Sequence, residues 1–269
     1  MIYILFILFT LILLSFFITQ VQYFFLFEPN KHRREFLDER YTPLEIQAED
    51  GTILEGIEFT PEHFTHTIFY LGGRSQDSVA LIHKLASSFE NYRIATFNYR
   101  GYGSSQGTPS EQNVYGDATN IAQKLQERYG KFSIVGFSLG SSVAAYVASK
   151  IKVEKLFLLG GFDSVFQIIK NKIPLLPSFL IRYKFDTALH VSSVNAPTYL
   201  VSSKDDNIVP IKNANNLKIS IKNLAEFKVL SSYNHDEILF SQENINLIKK
   251  GLNWKKKLSY YLIWVDQIT

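Results

Sequence analysis

Apolar residues fall along this chain in two patterns. From Ile2 to Phe27 there is no charge, and Phe, Leu and Ile dominate among scattered Thr, Ser and Gln. About 26 helical residues give about 39 Å, enough to cross a hydrocarbon core of about 30 Å with tilt. Residues 1–27 therefore read as a retained transmembrane anchor rather than a cleaved signal. No Lys or Arg precedes the apolar run, no alanine occurs before Ala48 to form a small-residue cleavage site, and no cysteine is present for lipid attachment. Tyr23, Phe24, Phe25 and Phe27 are placed to form an aromatic belt at the interface.

Past residue 42 the pattern changes to short apolar runs, bounded by turn residues, that alternate with longer amphipathic stretches. Strands are predicted at 44–47, 51–59, 67–71, 93–98, 133–137, 155–159, 198–201 and 227–230. That alternation predicts an α/β fold, a mostly parallel eight-stranded sheet with helices on both faces, over residues 43–254. Residues 28–42 read as a basic juxtamembrane linker, and 255–269 as an amphipathic tail. The interval 161–194 exceeds a simple crossover and is broken by Pro174 and Pro177, so it reads as a small cap or as a crossover of irregular helices. As a cap it would line an acyl pocket with Ile173, Leu175, Leu176, Phe179 and Leu180.

The chemistry concentrates in GFSLG at 136–140, a serine between a β-branched, aromatic run and a helix rich in small residues. A serine forced into a sharp strand-to-helix turn exposes its hydroxyl, and flanking glycines allow close backbone approach. Ser138 is the candidate nucleophile. The Leu139 N–H, at the start of the helix, is a candidate oxyanion donor. An activated serine needs a base and a group to orient that base. Asp206, with its neighbour Asp205 as an alternative, follows the run at 197–201, and His235 follows the strand predicted at 227–230. The other histidines lack metal-ligand spacing: His32 lies in a basic flank, His63 and His66 in a turn, His83 on a helix and His190 in an irregular segment.

Two further segments support this site. The buried strand at 67–71 runs into Gly72 and Gly73, and Gly73 is the candidate second oxyanion donor. In NYRGYGSSQGTPS, at 98–110, a strand end leads into a helix start in which Thr108 caps, Pro109 takes the first helical position and Glu111 completes a capping box. This loop lacks the GK[ST] ending of a phosphate loop and the GxGxxG of a dinucleotide site. Arg100 is placed to pair with a buried acid and hold it.

Taken together, LGG at 71–73, NYRGYGSSQGTPSE at 98–111, GFSLG, RYKFD at 182–186, DNIVP at 206–210 and His235 resemble the α/β-hydrolase superfamily, within it the membrane-anchored group similar to Bem46 and the serine-aminopeptidase-like hydrolases. Where relatives carry a His-Gly pair, this chain has Leu71-Gly72, so the support for that turn must differ. The resemblance implies a serine hydrolase with a Ser-Asp-His triad and no metal or organic cofactor, acting on carboxylic ester, thioester or occasionally amide bonds.

Composition narrows the partners. With 269 residues and 46% hydrophobic content the chain can build one substantial core. Its 28 Lys and Arg against 25 Asp and Glu leave a net charge of +3, too mild to imply nucleic-acid binding. Absence of cysteine permits either redox compartment. Lys31, Arg33 and Arg34 just after the span place the catalytic part on the cytoplasmic side by the positive-inside rule. Lys255 to Lys257 and the apolar run after them could touch an anionic membrane surface. The reading is a membrane-anchored serine hydrolase cleaving the ester of a lipid or acylated small molecule, with no obligate protein partner evident. The alternatives are an aminopeptidase-like amide hydrolase, with Asp163 or Asp186 binding a free amine, and a non-catalytic membrane scaffold.

Overall fold

A computed structural model describes residues 2–32 and 38–253 of the chain. Arg33, Arg34 and the segment at 255–269 lie outside the described residues. Helix α1 (Ile2–Leu26) precedes eight strands: β1 (Tyr41–Gln47), β2 (Ile53–Phe59), β3 (His66–Leu71), β4 (Tyr92–Phe97), β5 (Ser133–Phe137), β6 (Leu156–Leu159), β7 (Thr198–Ser203) and β8 (Leu224–Leu230). Their order in the sheet is β1-β2-β4-β3-β5-β6-β7-β8, antiparallel at β1–β2 and β2–β4 and parallel elsewhere. All eight predicted strands are present.

Parallel central strands are covered on both faces, which is why their sequences are apolar runs rather than alternations. Along β5 and β6, Ile134, Leu156 and Leu158 enter one core, while Val135, Phe137, Phe157 and Leu159 enter the other. The first core is closed by α3 (Glu111–Tyr129), α4 (Leu139–Lys150) and α7 (Ile211–Ser220), and the second by α2 (Ile82–Ser88) and α8 (Gln242–Leu252). Arg100 is buried and grips the Asp117 carboxylate with two 2.8 Å hydrogen bonds, tying the loop after β4 to α3.

The structure departs from the sequence reading at several points. Helix α3 is capped by Ser110, which accepts from the Asn113 N–H at 3.2 Å, and not by Thr108. Glu111 is drawn elsewhere: its carboxylate accepts the Lys184 and Phe185 N–H groups at 2.8 and 2.7 Å. After the Gly72-Gly73 turn, helix α2 does not begin until Ile82. Asp77 anchors the preceding turn, accepting from the Asn98 amide and the Ala80 N–H.

Residues 27–32 do not form a free linker. Phe27 is buried against Tyr183 and Phe185, so it leaves the expected aromatic belt, and strand β1 begins inside the expected linker. The interval 161–194 contains α5 (Val165–Lys172), a single 3-10 turn at Ser178–Leu180 and α6 (Thr187–Val191). Ile173, Leu175 and Phe179 are exposed on it, so they line no pocket here; only Leu176 of the five packs partly against the core. Two prolines and a three-residue turn give this stretch no regular face to fold inward.

Candidate active site

The turn between β5 and α4 is held by very close packing. A Cβ on Gly136 would stand 2.3 Å from the Gly140 carbonyl oxygen, and one on Gly140 would stand 2.1 Å from that of Leu71. Only glycine allows helix, β5 and β3 to meet there. Ser138, between them, takes φ 52° and ψ −119°, a conformation that costs a non-glycine residue about 1–3 kcal/mol and is sustained by its surroundings. The strain lifts the hydroxyl off the sheet edge at the N-terminus of α4.

His235 meets Ser138 there. The Ser138 hydroxyl donates to Nε2 of His235 at 2.8 Å, and Nδ1 donates to Oδ2 of Asp206 at 2.7 Å, the tautomer being fixed by the carboxylate. All three residues are buried. The second oxygen of Asp206 accepts the Ile208 and Val209 N–H groups at 2.9 and 2.7 Å, which fixes the carboxylate before it engages histidine. Asp205 turns away and accepts the Ser232 N–H at 2.7 Å. The loop carrying His235 is fastened to β7 by the Ser203 hydroxyl, which donates to the Tyr233 carbonyl at 2.6 Å.

Gly73 lies beside the serine: a Cβ on it would stand 3.4 Å from that of Ser138. Its N–H, however, donates to Oε1 of Gln76 at 2.9 Å. The same oxygen accepts the Tyr70 hydroxyl at 2.6 Å. The Gln76 amide oxygen on the Gly73 N–H, the Tyr99 hydroxyl on the Gly72 carbonyl and the Asn98 amide oxygen on the Ser78 N–H brace this turn. Leu139 is the first residue of α4, where backbone N–H groups have no intrahelical acceptor.

Two contributors escaped the sequence reading. Gly160 takes φ 57° after β6, and a Cβ there would stand 3.0 Å from Cε1 of His235, so its bareness makes room for the imidazole. Gln76 carries no motif and shows its importance only through contacts. The other histidines stand apart from the site: His190 is held edge-on to Tyr115 and Tyr146, where burial lowers its pKa, and His66 lies 3.6 Å from Glu154. Asp163 is occupied by the Asn213 and Asn216 amides, and Asp186 caps α6 at Leu189.

Comparison with known proteins agrees with this architecture. A family profile described as the alpha/beta hydrolase fold matches residues 68–188. The lysophosphatidylserine lipase ABHD12 of Danio rerio is 28% identical over 193 residues, covering 62% of this chain and 50% of that protein. An uncharacterized membrane protein of Saccharomyces cerevisiae is 27% identical over 182 residues, covering 63% of this chain and 64% of its own. The chain thus spans about half the length of the lipase it matches. Among solved structures, an esterase of Pyrococcus furiosus superposes with a TM-score of 0.66 at 16% identity, covering 85% of this chain and 98% of the esterase. That likeness shows the fold. The profile match runs from β3 into α6 and so includes the strained serine turn; the chain has the α/β-hydrolase fold.

Proposed function

We propose that the protein is a membrane-anchored serine hydrolase that cleaves carboxylic ester or thioester bonds of a lipid or acylated small molecule through an acyl-enzyme. The observation that carries this is the unbroken chain of short contacts from Ser138 through His235 to Asp206, set on a strained turn at a helix N-terminus. His235 Nε2 takes the Ser138 proton as Oγ attacks the acyl carbon, and Asp206 holds the imidazolium that results. The oxyanion accepts from Leu139 N–H and from Gly73 N–H, the latter exchanging Gln76 Oε1 for substrate oxygen. His235 then gives its proton to the departing alcohol or thiol, and water, deprotonated by the same nitrogen, releases the acid.

Two features favour a lipid. Helix α1 is 25 residues long with mean hydropathy 2.7 in its most apolar window, and the zebrafish relative is named a lysophosphatidylserine lipase. An amine-binding peptidase is disfavoured because Asp163 and Asp186 are both engaged within the fold. The test is hydrolysis by the full chain in liposomes of lysophospholipids and acyl esters of graded length, beside an aminoacyl amide. Turnover of long-chain esters that disappears in Ser138→Ala supports the reading; turnover of the amide or of short soluble esters alone overturns the lipid assignment.

A further inference from the structure

Gln22 is a buried polar residue near the end of an otherwise lipophilic helix. Its amide nitrogen donates to the Leu180 carbonyl at 2.7 Å, and its oxygen accepts the Arg182 N–H at 2.9 Å. Both partners lie at the end of the 173–182 stretch, so one side chain fastens that stretch to α1 through its backbone. Gln22 is four residues from the helix end at Leu26, about 6 Å along the axis. A 25-residue helix is about 37 Å long and a hydrocarbon core about 30 Å thick, so Gln22 falls at the boundary where apolar core gives way to headgroups.

At that level the neighbouring stretch presents its most apolar side chains outward. Leu175 is 95% exposed, Phe179 85% and Ile173 54%. Around them stands a set of cations. Lys170 donates to the Pro174 and Leu176 carbonyls at 2.8 and 2.9 Å and so shapes the loop, and Lys172 lies 5.6 Å from the Phe25 ring. On the other side Arg74 reaches the Phe25 carbonyl and pairs with Glu28 at 3.5 Å. Apolar tips on a loop braced by Lys170 and preceded by Lys172, beside a helix read as crossing the bilayer, match a surface that dips into the interface and meets anionic headgroups.

We infer that the 173–180 loop is a second membrane contact, inserting Leu175 and Phe179 into the same leaflet that α1 leaves. The inference rests on the reading of α1 as a membrane span. It gives the fold a fixed orientation, because the chain after α1 is also pinned to the loop beside Ser138. Asn30 donates to the Ser75 carbonyl at 2.8 Å, and the His32 N–H donates to Asp77 at 3.0 Å. Arg74, which grips the helix end, directly follows Gly73. The turn that borders the nucleophile is therefore held against the membrane-proximal end of the helix, the side from which an acyl chain resident in the bilayer would arrive.

The chain has no cysteine, so single labels are available without background. An environment-sensitive fluorophore is attached to Leu175→Cys, Phe179→Cys, Leu11→Cys within α1, and Ile219→Cys, which is 85% exposed at the end of α7. Each full-length variant is reconstituted in phosphatidylcholine/phosphatidylserine vesicles with and without doxyl-labelled phosphatidylcholine. The expected result is loss of most emission at positions 11, 175 and 179 in doxyl vesicles, with position 219 unaffected. Quenching at 11 with positions 175 and 179 as wet as 219 would overturn the second contact and leave the anchor standing. A blue-shifted label at 175 that doxyl lipid does not quench would place the loop against protein and overturn it as well. Absence of quenching at 11 would overturn the anchor reading itself.

Discussion

One amide oxygen of Gln76 accepts two hydrogen bonds, from the Gly73 N–H at 2.9 Å and from the Tyr70 hydroxyl at 2.6 Å. The Tyr70 ring is fully enclosed, and burial pushes its phenol far above the ordinary tyrosine range, so it acts only as a neutral donor. Gln76 thus occupies the Gly73 N–H while giving a buried hydroxyl its partner.

From this arrangement Gln76→Glu is expected to fold normally, because it keeps both acceptor contacts, yet to lose activity. The carboxylate binds the Gly73 N–H more firmly and sets a negative charge beside the developing oxyanion. The loss of one donor of this kind costs about 10²-fold or more in kcat. Steady-state kinetics, with thermal melting as the folding control, check it. If Gln76 merely braces the loop, kcat will be unchanged in the variant.

Gly160→Ala should disturb His235 more than it disturbs the fold. The new methyl would meet the imidazole at 3.0 Å, and φ 57° adds about 1–2 kcal/mol of backbone cost. Displacing the base from its contact with Ser138 is expected to cut kcat by about 10²-fold, since such steps are sensitive to misplacement of about 1 Å. Comparison of kcat with melting temperature separates the two effects.

Acid stability should depend on His190. Burial lowers its pKa below the ordinary 6.5, with Lys150 acting in the same direction and Asp186 opposing. A base that is harder to protonate when folded binds fewer protons in the native state than in the unfolded one, so stability is full above pH 6.5 and declines as pH falls below it. His66 is lowered for the same leading reason and adds to the slope. His190→Gln should flatten, without abolishing, the fall in melting temperature on acidification. A slope identical to wild type would contradict the assignment.

Much of the architecture was legible because the signals are local. Buried strands such as Leu156–Leu159 announce themselves as apolar runs, and Gly136, Ser138 and Gly140 encode a turn that few residues can make. The order of Ser138, Asp206 and His235 could be read along the chain, and Asp206 was preferred to Asp205 on its DNIVP context, since spacing could not separate them. Neighbours one position apart have the same spacing, and only the loop geometry turns one carboxylate inward. Thr108 misled because two hydroxyl residues stood near one helix start, and Glu111 was claimed by distant N–H groups at Lys184 and Phe185. Gln22 and Gln76 were silent for the same reason: their partners lie far away in sequence or depend on a turn not yet built.

The central claim is that Ser138 is activated by His235. Fluorophosphonate labelling of the detergent-solubilised full chain tests it without knowledge of the substrate. Wild type should label, Ser138→Ala should not, and His235→Ala and Asp206→Asn should label more slowly by about 10³-fold or more. A folded wild type that takes no label, or a His235→Ala variant that labels at the wild-type rate, would contradict the account and favour a scaffold that keeps the fold without turnover.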